Sequence, residues 1–131
     1  MNPQQWRWVR AVAVFDLIVT ASLAIPVASE YVMAWLLSGF GFAGAASDWL
    51  PLPLTTALFL NLAGLLGVLW NGYRVLNPEP LLVRMDQWGR IVVAAVLAWY
   101  LLARGAPVVL WLFVASELAG SIIEWRALRR G

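Results

Sequence analysis

Four stretches of this chain are each apolar over a length that matches the hydrocarbon thickness of a bilayer, and nothing else narrows its folding options as far. They run over about residues 8–29, 54–74, 87–103 and 107–125. At about 1.5 Å per residue, ~20 residues of helix cross ~30 Å of hydrocarbon. Inside that medium each backbone amide and carbonyl has to find its partner within the protein, which makes helices the expected form of these stretches. Composition agrees: 63% hydrophobic and 12% charged residues, with a mean hydropathy of +0.79, leave too few charges to clothe a water-soluble surface. The expected fold is all-α, residues 1–131 forming a single integral-membrane bundle of four transmembrane helices.

Between the first two stretches the composition changes. Tyr31, Met33, Trp35, Leu36, Phe40 and Phe42 are apolar, but Gly39, Gly41, Gly44 and the step Pro51-Leu52-Pro53 interrupt a helix. The segment Tyr31–Pro53 reads as interfacial or re-entrant, helical over Tyr31–Leu37, and serves either as a lid over a cavity or as a loop packed on the membrane surface. Pro26 predicts a kink at the far end of the first helix. The breaker Asn77-Pro78-Glu79-Pro80 precedes the third helix, where Asp86 either caps the helix or pairs with Arg90 at i+4. Arg104-Gly105-Ala106-Pro107 is so short a connection that the third and fourth helices are expected to form an antiparallel hairpin.

All nine basic residues are arginines, and the formal charge is only +2. With four spans, Arg7, Arg10, Arg74, Arg84, Arg90, Arg126, Arg129 and Arg130 fall on one side and Arg104 alone on the other, so both termini are expected in the cytoplasm. Trp6, Trp8, Trp70, Trp88 and Trp125 would then mark the inner interface, and Trp35, Trp49, Trp99 and Trp111 the outer. The expected location is a bacterial inner (plasma) membrane, with the lipid bilayer as the first partner. The basicity reads as topogenic, so no nucleic-acid partner is expected.

Carboxyls inside apolar stretches are costly, by about 2.5–3.5 kcal/mol on insertion scales, and point to an interior polar site. Asp16 lies eight residues in from Trp8, and Glu117 eight residues before Trp125. Both therefore sit about 12 Å from the inner interface. Thr20 follows Asp16 by one turn, and Ser121 and Glu124 share a helix face with Glu117. Asn61, Gly64, Val68 and Asn71 make one stripe on the second helix, suited to close packing and interhelical hydrogen bonds. The candidate ligand- or proton-binding residues are Asp16, Thr20, Asn61, Glu117 and Ser121. Three readings stand: a polar pocket for a proton, a cation or the head of a lipophilic molecule; a buried ion pair in which Arg90 reaches inward to either acid; or an acid that faces a helix of another protein.

The chain has neither histidine nor cysteine, which removes disulfides, thiol catalysis and ordinary zinc sites. No nucleotide-binding glycine motif occurs, and no catalytic residue, cofactor or metal is assigned; an acid-catalysed rearrangement of a lipid by Asp16 and Glu117 stands as a third class of function. In size, span number and an acid in helix one, Asp16, the chain resembles small multidrug resistance transporters, which implies proton-coupled export of lipophilic cations. It departs from them in Glu117, in the long Tyr31–Pro53 connection and in the arginine asymmetry. Through its span pattern and the run Asp86-Gln87-Trp88-Gly89-Arg90 it is similar to the small four-helix bacterial membrane proteins grouped as DoxX-like, from which no site residue carries over. The function expected is that of a non-enzymatic inner-membrane protein. It either binds a lipophilic small molecule or lipid, or serves as a subunit of a membrane complex or homo-oligomer. The alternative is a proton-coupled exporter of lipophilic or cationic compounds.

Overall fold

A computed structural model describes residues 2–129; Arg130, one of the arginines assigned to the inner side, lies outside them. The protein is all-α, with no strand among the described residues. The helices are α1 (Pro3–Ala24), α2 (Ala28–Leu37), α3 (Leu54–Leu76), α4 (Pro80–Ala103) and α5 (Leu110–Arg129), with a 3-10 turn at Ala46–Trp49. Among the described residues one helix, α3, is long and apolar enough to cross a membrane, and α1 with α2 would supply a second if that bent pair formed one span. The other two long helices after α3 carry more charge: Asp86 and Arg90 within α4, after Arg84 near its start, and Glu117 and Glu124 within α5, with Arg126 and Arg129 in its last turn.

Several helix boundaries differ from the sequence expectation, each for a local reason. The first helix starts at Pro3 rather than near Trp8, because Asn2 and Gln5 form a capping box. The Asn2 side chain accepts from the Gln5 N–H at 2.9 Å, and the Asn2 N–H donates to Gln5 Oε1 at 2.6 Å. Pro3 occupies the first helical position, where its missing N–H costs nothing. The same helix ends at Ala24, not Ser29, since Pro26 disfavours helical geometry at Ile25 and brings no N–H of its own. The helix breaks there instead of kinking, and α2 leaves at 112° to α1. Val27 enters α2 with φ of 67°, a left-handed value that a β-branched residue adopts only under constraint from its surroundings. The third predicted helix starts at Pro80, again at a first helical position, rather than at Gln87. Asp86 is consequently two turns inside α4 and does not cap it. The last helix is shifted to Leu110–Arg129 because positive φ at Gly105 (64°) and a bond from the Ala106 N–H to the Tyr100 carbonyl (3.2 Å) complete the reversal first.

The chain forms two compact units. One contains residues 14–73, and the other residues 1–13 with 74–131. In the first, α1 and α3 approach along the stripe read from the sequence. A Cβ on Gly64 would lie 2.5 Å from the Leu23 carbonyl carbon and 2.9 Å from the Ala24 Cα, and one on Gly67 would lie 2.7 Å from the Thr20 Cβ. Asn61 Nδ2 donates to the Leu23 carbonyl at 3.0 Å and to Ser29 Oγ at 2.7 Å. One amide thus satisfies an orphan carbonyl at the end of α1 and ties it to the start of α2.

In the second unit α4 and α5 form the expected antiparallel hairpin. The start of α1 lies against its open end, where Val9, Val83 and Ala127 are buried together beneath Trp6 and Leu128. Buried positions fall at Gln5, Val9 and Ala13 on α1 and at Val83, Asp86, Arg90 and Ala94 on α4, helical spacings that give each helix one inward face.

Replacing Gly64 by alanine should lower the thermal midpoint of the detergent-solubilised protein, because overpacking against backbone atoms costs about 1–3 kcal/mol. Gly72, on the same helix, has nothing within 4 Å of its would-be Cβ. Its change to alanine should leave the midpoint unchanged or raise it. Equal losses at both positions would mean that the α1–α3 approach is not what Gly64 serves.

Candidate functional site

The charged side chains that a buried helical face can least tolerate are gathered at one place. Arg74, in the last turn of α3, donates to Asp86 Oδ2 at 2.8 Å and is hydrogen-bonded to Glu124 Oε1. Arg90 donates through Nε to the same Asp86 oxygen at 2.8 Å and through Nη1 to Glu117 Oε2 at 3.1 Å, with Glu124 Oε2 3.7 Å from its Nε. Glu124 is fully enclosed, Arg74 and Arg90 nearly so, while the Glu117 side chain is 24% exposed.

The helices set this geometry. Asp86 and Arg90 are one turn apart on the inward face of α4, and Glu117, Ser121 and Glu124 are stacked on the facing surface of α5. Gly120 makes room for the guanidinium: a Cβ there would lie 2.7 Å from Arg90 Nη1 and 2.9 Å from its Cζ. Ser121 Oγ donates to the Gln87 carbonyl at 3.3 Å and bolts the two helices together beside the cluster.

Fully ionised, the cluster contains three carboxylates and two guanidiniums, a surplus of one negative charge. Among the described residues no hydrogen-bond donor reaches Glu124 Oε2. The cluster can therefore take up a proton. Among the described residues no group of three or more potential ligands is placed to hold a metal ion.

The six residues singled out from the sequence are distributed over both units. Glu117, Ser121 and Arg90 belong to the cluster. Asp16, Thr20 and Asn61 belong to the unit of residues 14–73, where Asp16 is half-buried and has its own partner. The Thr20 hydroxyl donates back to the Asp16 carbonyl at 2.8 Å, within its own helix, and Asn61 is engaged at the α1–α2 break. Sequence reading did not assign Arg74 or Glu124 to the site. Arg74 reads there as one of many inner-side arginines, and Glu124 as a residue sharing the Glu117 face; only the packing of the end of α3 against the α4–α5 hairpin brings them together. Compared with protein-family models, curated proteins and solved structures, the chain matches none.

Because the surplus charge is negative, the two kinds of substitution should differ. Arg90→Met leaves buried carboxylates uncompensated and should cost about 3–5 kcal/mol of stability. Glu117→Gln brings the cluster to two charges of each sign and should cost distinctly less. Thermal unfolding in detergent reads both, and equal losses would show that charge balance does not govern the cluster.

Proposed function

We propose that this chain is a four-span bacterial inner-membrane protein, with both termini in the cytoplasm, that binds lipid or another lipophilic molecule without chemically transforming it. The observation that carries this reading is the inverted distribution of polarity. Leu58, Phe59, Leu62, Leu65, Leu66 and Leu69 of α3 are exposed, while Asp86, Arg90, Arg74 and Glu124 are buried. Such an exterior suits hydrocarbon, and polar groups within a membrane protein turn inward and pair. Within the unit built on α4 and α5, the exposed arginines 7, 10, 84, 126 and 129 lie at the helix ends that meet around Val9, Val83 and Ala127, and Arg104 lies at the opposite end of α4. That asymmetry supports the cytoplasmic assignment of the termini.

The pairing of the acids favours binding over exchange. An exporter that trades protons for cations needs a carboxyl free to release its partner. Here Glu117 is held by Arg90, and Asp16 and Asp86 also have partners, while Glu124, whose Oε2 has no donor among the described residues, is fully enclosed rather than open to a cation.

The absence of cysteine makes topology directly measurable. A single cysteine at Ala103 should react with a membrane-impermeant maleimide in intact spheroplasts, and one at Gln4 only after permeabilisation. Labelling of both in intact spheroplasts would exclude the proposed orientation. Native mass spectrometry of protein extracted gently from its own membrane tests the function. A lipid or small lipophilic adduct that persists in Asp16→Asn and Glu117→Gln is expected. A copurifying protein without any adduct would assign the chain to an assembly instead.

A further inference from the structure

A cleft of about 290 Å³ opens between the first turns of α1 and the last turns of α5, lined by Gln5, Trp8, Ile123, Arg126 and Ala127. It lies wholly within one compact unit. Its lining is mostly apolar; among the described residues its polar groups are a guanidinium and a carboxamide, and no carboxylate lines it. Arg126 is exposed and makes no ion pair among the described residues.

Gln5 is the unusual member. Only 7% of it is exposed, and the backbone N–H of Asn2 holds its Oε1 as part of the capping box. That bond determines which end of the amide is which: Nε2 is turned away from Asn2, and it has no acceptor among the described residues. A buried donor without a partner is unfavourable, and natural proteins retain one chiefly where something outside the chain supplies the acceptor. An acceptor that also satisfies Arg126 carries negative charge, and the first turn of α1 adds the favourable end of a helix dipole. Trp8 is 60% exposed, an amphipathic ring of the kind that sits at the headgroup level of a bilayer.

We propose that this cleft is the headgroup site of an anionic phospholipid of the inner leaflet. A phosphate oxygen accepts from Gln5 Nε2, Arg126 neutralises the phosphate, and an acyl chain follows Ile123 and Trp8 toward the hydrocarbon. The inference rests on the membrane-binding reading above and names its ligand class and site. Arg7 and Arg10 belong to a separate cleft, with Pro3, Trp6 and Pro78, and are not part of the site.

The test uses the full chain reconstituted into nanodiscs of phosphatidylcholine mixed with phosphatidylglycerol, with bound lipid read by native mass spectrometry after release. Gln5→Glu keeps the carbonyl oxygen that accepts from Asn2 but replaces the donor with a second oxygen. Gln4→Glu, at the neighbouring exposed position, makes the same change of charge outside the cleft. The wild type should retain one phosphatidylglycerol. Gln5→Glu and Arg126→Gln should each reduce that occupancy about tenfold, as expected for a hydrogen bond to a charged group. Gln4→Glu should keep it. Equal loss in Gln4→Glu and Gln5→Glu would reduce the effect to diffuse attraction and overturn the site, as would retention in Gln5→Glu. In discs of phosphatidylcholine alone with added inorganic phosphate, a phosphate adduct lost in Gln5→Glu would assign the cleft to a soluble anion and overturn the lipid. Failure of the wild type to insert into discs would overturn the membrane reading itself. Insertion with no retained phosphatidylglycerol would overturn only the present proposal.

Discussion

Arg74, Asp86, Arg90, Glu117 and Glu124 form the one interaction on which the rest of the α4–α5 unit depends. A guanidinium enclosed among apolar helices is tolerable only when carboxylates meet it with good geometry, and here both arginines share one Asp86 oxygen. Sharing makes the cluster cooperative. Loss of any member leaves the others partly unsatisfied, so the end of α3, the middle of α4 and the last half of α5 have to be in place together. Gly120 and Ser121 are subordinate to this demand, the first by giving Arg90 room and the second by fixing the register.

The unit of residues 14–73 solves a different problem with different means. Close backbone approach at Gly64 and Gly67 and the two hydrogen bonds of Asn61 join its helices. The break between α1 and α2 exposes carbonyls that α1 cannot satisfy, and Asn61 answers one of them from a neighbouring helix. The sharp departure of α2 is thereby tied to the helix that α1 packs against.

How far the chain could be read in advance depends on which forces are local. Long apolar runs and a period near 3.6 located four of the helices, and the stripe Asn61, Gly64, Val68 and Asn71 identified the packed face of α3. Boundaries set by caps were harder. The Asn2–Gln5 box and the prolines at positions 3 and 80 each extended a helix into residues that read as flanking loop, and the charges Arg84, Asp86 and Arg90 disguised the first two turns of α4. Asp86 and Arg90, four residues apart, were legible as a pair. Arg74 with Glu124 was not, because fifty residues of chain separate them and only the packing of the end of α3 against the α4–α5 hairpin makes them neighbours. The expected equal depth of Asp16 and Glu117 rested on helical rise alone, and the two belong to different compact units.

The unit that contains the ionic cluster is discontinuous: residues 14–73 leave and return between its first helix half and its remainder. A chain made from its N-terminus therefore completes the other unit first. Arg74 emerges twelve residues before Asp86 and fifty before Glu124, and the capped start of α1 is finished more than a hundred residues before Ala127 arrives to cover Val9. The most consequential step thus comes late, since α5 both covers Val9 near the start of α1 and neutralises an arginine laid down earlier. A chain truncated within α5 would leave Arg74 without Glu124 and the first turns of the protein uncovered, a state that quality-control proteases are suited to recognise.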